Sequence, residues 1–208
     1  MKNILIVVDY QYDFVSTKGN LPVVDAKEIK NNIQELIDSN KYEDQIFTFD
    51  THTSIDYLES EEAIIFPNIH CEYNTKGWWL YKIETTFGKI AKKIFADRVK
   101  IPKILSFSNS EKNEFYFTKD KFDIWEGNSI YPNWFTTKYN PTKVEIDVCG
   151  VATNYCVFMH VIGLIQRGYK VNVINSAVKG IKSFPDGEKD ESFDENIQKM
   201  IDVGVMFK

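Results

Sequence analysis

Cysteine is scarce in this chain, and an odd count of three (Cys71, Cys149 and Cys156) rules out an even disulfide framework. No apolar run approaches the ~20 residues that a membrane-spanning helix needs. No secretory-type segment precedes the first apolar run, Ile4–Val8. Basic charge is not in excess: 25 Lys and Arg stand against 30 Asp and Glu, a net charge of −5. Neutralising phosphates needs clustered Lys and Arg, so this balance argues against nucleic acid as the main partner. Repeats, low-complexity tracts and domain linkers are absent as well. These absences point to a cytoplasmic protein with reduced thiols and a single domain over residues 1–208. Its length suffices to bury roughly 70% of the unfolded surface. Hydrophobic content of 43% and charged content of 26% are those of an ordinary globular chain.

What is present is an alternation of strand and helix patterns. Short apolar runs at Ile4–Val8, Gln45–Phe49, Phe115–Thr118, Val144–Cys149 and Lys170–Ile174 read as strands, with Val203–Phe207 as a possible edge strand. Asp25–Ser39 spaces Ile29, Ile33, Leu36 and Ile37 as a helix would, with Asp25 as its N-cap. Thr86–Ala96, Asn154–Arg167 and Phe193–Ile201 read as further helices, and Gly168 suits a left-handed C-cap. Residues 50–84 have no clean period and carry Asp, His, Glu and Trp, the mark of a long functional loop. The alternation predicts an α/β fold, a parallel sheet with helices on both faces.

Cys156 stands one turn into the helix that follows the Val144–Cys149 strand. Unpaired backbone N–H groups and the positive end of the helix dipole meet there. That position predicts a thiol pKa lowered towards neutrality and amides available to an oxyanion. A buried core cysteine is the plain alternative. The surrounding run, Gly150-Val151-Ala152-Thr153-Asn154-Tyr155-Cys156-Val157, resembles the nucleophile motif of the isochorismatase-like cysteine hydrolases, a family that includes nicotinamidases. Two further segments carry the same resemblance in family order. Asp9-Tyr10-Gln11-Tyr12-Asp13-Phe14 matches the family's Asp-x-Gln-x-Asp-Phe, and Phe115–Lys119 ends in a lysine where the family has one. Gly19–Val23 is similar to its Gly-x-Leu-x-Val segment.

The resemblance implies a three-layer sandwich around a six-stranded parallel sheet. It also implies Cys156 as nucleophile, Asp9 as proton acceptor and donor, and Lys119 as charge stabiliser. The amides of Ala152 and Cys156 would form the oxyanion hole, and the Val151–Ala152 peptide would be cis. Read alone, Asp9 is a turn cap and Lys119 a solvated strand end; together with Cys156 they read as one catalytic set. His160, four residues after Cys156, leaves a Cys–His pair geometrically open, but a histidine packed in a helix interface is the preferred reading, since the family uses aspartate and lysine.

A second constellation begins at Asp50-Thr51-His52, continues through Glu59, Glu61 and Glu62, and ends at His70. Such mixed nitrogen and oxygen ligands suit Zn, Mn or Fe, although an Asp-x-His alone is as readily a solvated loop. The segment resembles the metal loop of bacterial nicotinamidases, which implies one divalent ion, with Zn first, held by Asp50, His52, Glu62 and His70. Glu59 and Glu61 then remain surface charges, and Tyr57 stands where some relatives have a histidine ligand. Phe14 matches a family pocket position. Trp78 and Trp79 have no residue-level match and read equally as pocket wall or packed anchor, and Pro67 occupies a position where some relatives carry a pocket tryptophan. The implied activity is nicotinamide hydrolysis to nicotinate and ammonia, with the metal holding the pyridine nitrogen. Another amide or ureide hydrolase of the family, or a catalytically silent binding module, are the alternatives. Family members often self-associate, which makes a homo-oligomer a further expectation.

Overall fold

The structure, a computed structural model, describes residues 1–85, 101, 103–108, 112–184 and 186–208, with only the backbone of Phe107 and Ser108. The helix expected at Thr86–Ala96 lies outside the described residues. Among the described residues seven strands form one sheet: β1 (Lys2–Val8), β2 (Asp44–Asp50), β3 (Ile104–Ser108), β4 (Asn113–Lys119), β5 (Val144–Val151), β6 (Lys170–Lys179) and β7 (Met206–Phe207). Their spatial order is β3-β4-β2-β1-β5-β6-β7. All six strands expected from the sequence are present and mutually parallel. The seventh, β3, corrects the expected count of six: it pairs antiparallel with β4 at the sheet edge. Its segment, Ile-Leu-Ser-Phe-Ser, mixes serines with apolar residues, so no continuous apolar run announces it. An edge strand needs only one paired side, and Ser106 is exposed there.

Strands buried on both faces read as near-continuous apolar runs, as β1 does. Side chains alternate along it. Ile4, Ile6 and Val8 join Val161, Leu164 and Met200, from the helices Phe158–Gln166 and Ser192–Asp202, on one face. Leu5 and Val7 join Ile33 and Ile37, from the helix Lys30–Asp38, on the other. The molecule is thus a three-layer α/β sandwich.

Two helix starts differ from expectation. Asp25 is no N-cap: it takes a left-handed φ of 58°, and the helix begins only at Lys30. The turn before it is pinned by the Tyr10 hydroxyl, which donates to the Ala26 carbonyl at 2.7 Å. After β5, the first turn, Thr153–Val157, is wound as a π-helix: the Val157 amide reaches back to the Ala152 carbonyl. At the far end Gly168 (φ 82°) closes the helix as anticipated, with its amide on the Ile165 carbonyl.

Candidate active site

The four central strands bring the expected residues to one end of the sheet. Asp50 and Lys119 close β2 and β4 as direct register partners. Asp9 follows β1 directly, and Val8 is paired with Gly150 on β5, six residues before Cys156. Gly150 has φ 114°, and a Cβ there would collide with the Val8 backbone, so only glycine lets β5 pass this close before the turn. Parallel strands make their carboxyl ends coincide, which is the physical reason three distant segments meet.

Lys119 is the hub. Its buried ammonium lies 3.0 Å from Asp9 Oδ2 and 2.8 Å from Asp50 Oδ1. It also donates to Cys156 Sγ at 3.5 Å. Asp9 holds a left-handed φ of 45°, and Thr48 fixes its other oxygen, donating its hydroxyl to Oδ1 at 2.5 Å. Asp9 Oδ2 pairs with Lys119 by charge but accepts no aligned hydrogen bond among the described residues, which leaves a lone pair for a proton. Burial pushes the Asp9 carboxyl above its ordinary value, with Lys119 opposing. Burial likewise pushes the Cys156 thiol well up, and Lys119 offsets only part of that. The lowered thiol pKa expected from the helix start is therefore not met: in this closed site desolvation outweighs the cation and the turn amides. Burial makes the Asp9 carboxylate a stronger base than an ordinary one, and the Lys119 cation is what favours the thiolate against the raised thiol. The Val151–Ala152 peptide is cis, as expected.

Beside this set, Asp50, His52, Glu62 and His70 are all buried, and one ligand atom from each lies within 4.8 Å of the others. His52 Nε2 is 2.9 Å from Asp50 Oδ2 and 3.3 Å from Glu62 Oε2. His70 Nε2 is 3.3 Å from Asp50 Oδ2 and 3.4 Å from Glu62 Oε2. Burial works to lower both histidines, but the carboxylates win: Asp50 and then Glu62 raise His52 to about 10, and both raise His70 to about 9. Buried polar atoms are nearly always satisfied. Here both Glu62 oxygens and His70 Nε2 have no hydrogen-bond partner among the described residues, which fits a cation at their centre. Two imidazoles and two carboxylates are a donor set for a divalent transition metal.

Local structure explains the convergence. Ser60 caps the short helix Glu61–Ile65 and turns Glu62 inward, while Glu59 and Glu61 stay exposed as expected. The loop is cinched by backbone bonds from the His52 amide to the Cys71 carbonyl and from the Tyr73 amide to the His52 carbonyl, setting His70 beside His52. Asp13 Oδ2 accepts the Cys71 amide at 2.8 Å. Gln11 clasps Asp50 from both sides, its Nε2 donating to the Asp50 carbonyl and its Oε1 accepting the Asp50 amide. The sequence reading gave no role to Gln11, Asp13 or Thr48. Their only signal was the first motif itself and a threonine two residues before Asp50.

Phe14 sits against His70, with ring centroids 5.2 Å apart. Trp78 is fully buried, donates to the Thr51 hydroxyl and packs on Phe49; with Trp79 stacked edge-on against it, the pair reads as a packed anchor. His160 does not meet Cys156: its Nε2 pairs with the Tyr131 hydroxyl at 2.6 Å inside the core. Next to Pro67, Phe66 places its ring 6.4 Å from His70 and 5.3 Å from Tyr155. A cavity of about 600 Å³ reaches Lys119, His52 and Glu62, with Phe122 on its wall.

Similarity to known proteins agrees with this fold. The nicotinamidase of Saccharomyces cerevisiae is 26% identical over 208 residues, covering 88% of this chain and 90% of the relative. Among solved structures, the nicotinamidase PncA of Bacillus subtilis superposes with a TM-score of 0.70 at 20% identity, covering 100% of this chain and 99% of that one. The zinc complex of the pyrazinamidase of Pyrococcus horikoshii gives 0.66 at 24% identity, covering 100% and 99%. Residues 3–203 match the Isochorismatase domain family, and with nearly its whole length inside that match the chain belongs to the isochorismatase family.

Proposed function

We propose that this chain is a metal-dependent nicotinamidase that converts nicotinamide and water to nicotinate and ammonia. The observation that carries the proposal is the position of Lys119, within 3.5 Å of Cys156, Asp9 and Asp50 together, at the border of a buried four-ligand cluster. A cysteine, a buried carboxylate and a cation at one point are what acyl transfer through a thiol requires. The names of the relatives described above support the choice of amide.

In this reading Asp9 Oδ2 takes the Cys156 thiol proton as Sγ attacks the carboxamide carbon. The Lys119 ammonium steadies the negative charge on sulfur and carboxylate. Amides of Ala152 and Cys156 hold the tetrahedral oxyanion, worth about 3 kcal/mol per donor. Asp9 passes the proton to the leaving nitrogen, ammonia departs, and an acyl thioester remains on Cys156. Water then attacks, Asp9 takes its proton, and the proton returns to Sγ as nicotinate leaves. Asp50, His52, Glu62 and His70 would hold the metal, zinc first, with manganese or iron as alternatives. When bound, the metal supplies a Lewis-acid anchor for the pyridine nitrogen. Phe14, packed on His70, would place an aromatic surface beside that anchor. Residues 1–208 would act as one domain in a reducing compartment such as the cytoplasm, which keeps Cys156 a free thiol.

The test is ammonia release from nicotinamide, and from pyrazinamide, by purified protein before and after chelation with metal add-back. Turnover that falls on chelation and returns with zinc, manganese or iron supports the whole reading. Turnover untouched by verified metal loss removes the metal from it. A folded, metal-loaded protein that releases no ammonia from either amide would overturn it.

A further inference from the structure

Tyr57 is fully buried in the metal loop, although nothing in the reaction above uses it. The short helix Ser54–Tyr57, capped by the Thr53 hydroxyl, turns it inward. Its ring stands edge-on to both imidazoles, with centroids 4.8 Å from His52 and 5.3 Å from His70. Among the described residues its hydroxyl has two hydrogen-bond neighbours, the Phe66 carbonyl at 2.5 Å and His70 Nδ1 at 3.1 Å. A phenol has one proton. The Phe66 carbonyl can only accept, so that proton points to Phe66, and the hydroxyl must accept from His70. The Asn68 carbonyl, 3.3 Å from the same nitrogen, is a second acceptor. Among the described residues His70 Nδ1 therefore faces acceptors alone and keeps its hydrogen, while Nε2, without a hydrogen-bond partner there, faces Asp50 and Glu62.

From this arrangement we infer that Tyr57 is a positioning residue: its hydroxyl keeps the hydrogen on His70 Nδ1 and fixes the ring direction, so that Nε2 is the nitrogen that gives up its proton to the metal. The inference rests on reading the four residues as a metal site and extends it to the shell that orients them. Outer-shell partners of ligating histidines set ligand orientation and basicity, and their loss weakens binding by about 10- to 100-fold. Tyr57→Phe keeps the ring wedged between the imidazoles and removes only the hydroxyl.

Zinc affinity of wild type and Tyr57→Phe, each prepared metal-free, would be compared by competition with a chromophoric chelator. The expected result is about 10- to 100-fold weaker zinc binding in the variant. A folded Tyr57→Phe that binds zinc as tightly as wild type would overturn the inference. A second measurement needs no variant: nitrogen-15 spectra of zinc-loaded wild type should show His70 metallated at Nε2 with a slowly exchanging Nδ1 hydrogen. Metallation at Nδ1 would defeat the inference while leaving the site intact. Wild type that binds no zinc, manganese or iron would defeat the metal-site reading, and Tyr57's role with it.

Discussion

Asp50 faces two ways: its Oδ1 accepts from the Lys119 ammonium at 2.8 Å, and its Oδ2 lies 2.9 Å from His52 Nε2. One buried carboxylate thus belongs to both constellations, the thiol set and the metal cluster. Burial works against its charge, but His52 and Lys119 together hold it well below the usual carboxylate range. The two sites are side by side because β2 and β4 are in register at their last residues.

Lys119 should matter to stability as well as turnover. It is buried between Asp9 and Asp50, so Lys119→Met takes the ammonium from both carboxylates and leaves Asp50 with its histidines alone. Breaking a buried pair in this way costs on the order of 3–5 kcal/mol. In metal-free protein the thermal midpoint is expected to fall by roughly 10 °C or more. A midpoint within a degree or two of wild type would show that the lysine does not hold these charges.

The two constellations can be separated by substitution. Glu62→Gln removes one cluster carboxylate and leaves Cys156, Lys119 and Asp9 untouched; metal affinity should drop by about 10-fold or more. Asp9→Asn leaves the four cluster residues in place but removes the proton acceptor. It should bind metal normally and lose at least ~10²-fold in turnover. Bound metal per chain and ammonia release, measured on both proteins, check this; an Asp9→Asn protein with full turnover would rule out Asp9 as the base.

Acid should destabilise the fold in part through His160. Burial lowers this histidine to about 3, whereas the unfolded chain titrates near 6.5. As pH falls below about 6.5 the unfolded state binds the proton first. Stability is therefore lost with falling pH between about 6.5 and 3, at up to ~1.4 kcal/mol per unit for this one group. His160→Gln can keep a partner for Tyr131 and should flatten that slope in denaturant titrations. Identical slopes for the two proteins would contradict the assignment.

Gly77 packs directly on the Asp13 carboxylate, leaving no room for a Cβ. Gly77→Ala must push Asp13 off the Cys71 amide, next to His70. The expected cost is about 1–3 kcal/mol, with weaker metal binding as a second effect. Unchanged unfolding and metal titrations would mean that the loop adapts freely.

The candidate site was legible through its resemblance to a known family, because its chemistry lies in short contiguous motifs. Asp9, Lys119, Cys156, Asp50, His52, Glu62 and His70 each sit in a segment whose order survives without any structure. Largely apolar runs likewise revealed the six parallel strands, since burial on both faces leaves few polar positions. The edge strand β3, with its serines, carried no such signal.

Other features belong to the tertiary structure alone. Whether Cys156 is a lowered or raised thiol depends on how completely three strand ends exclude water, a property that no local spacing encodes. The same holds for Tyr57 and Gln11, whose polar groups find partners 13 and 39 residues away. His160 was ambiguous in sequence because helical spacing fixes a face but not what that face meets; packing against Tyr131 decided it. Sequence order supplied the reacting groups, and burial by distant elements set their charges and directions.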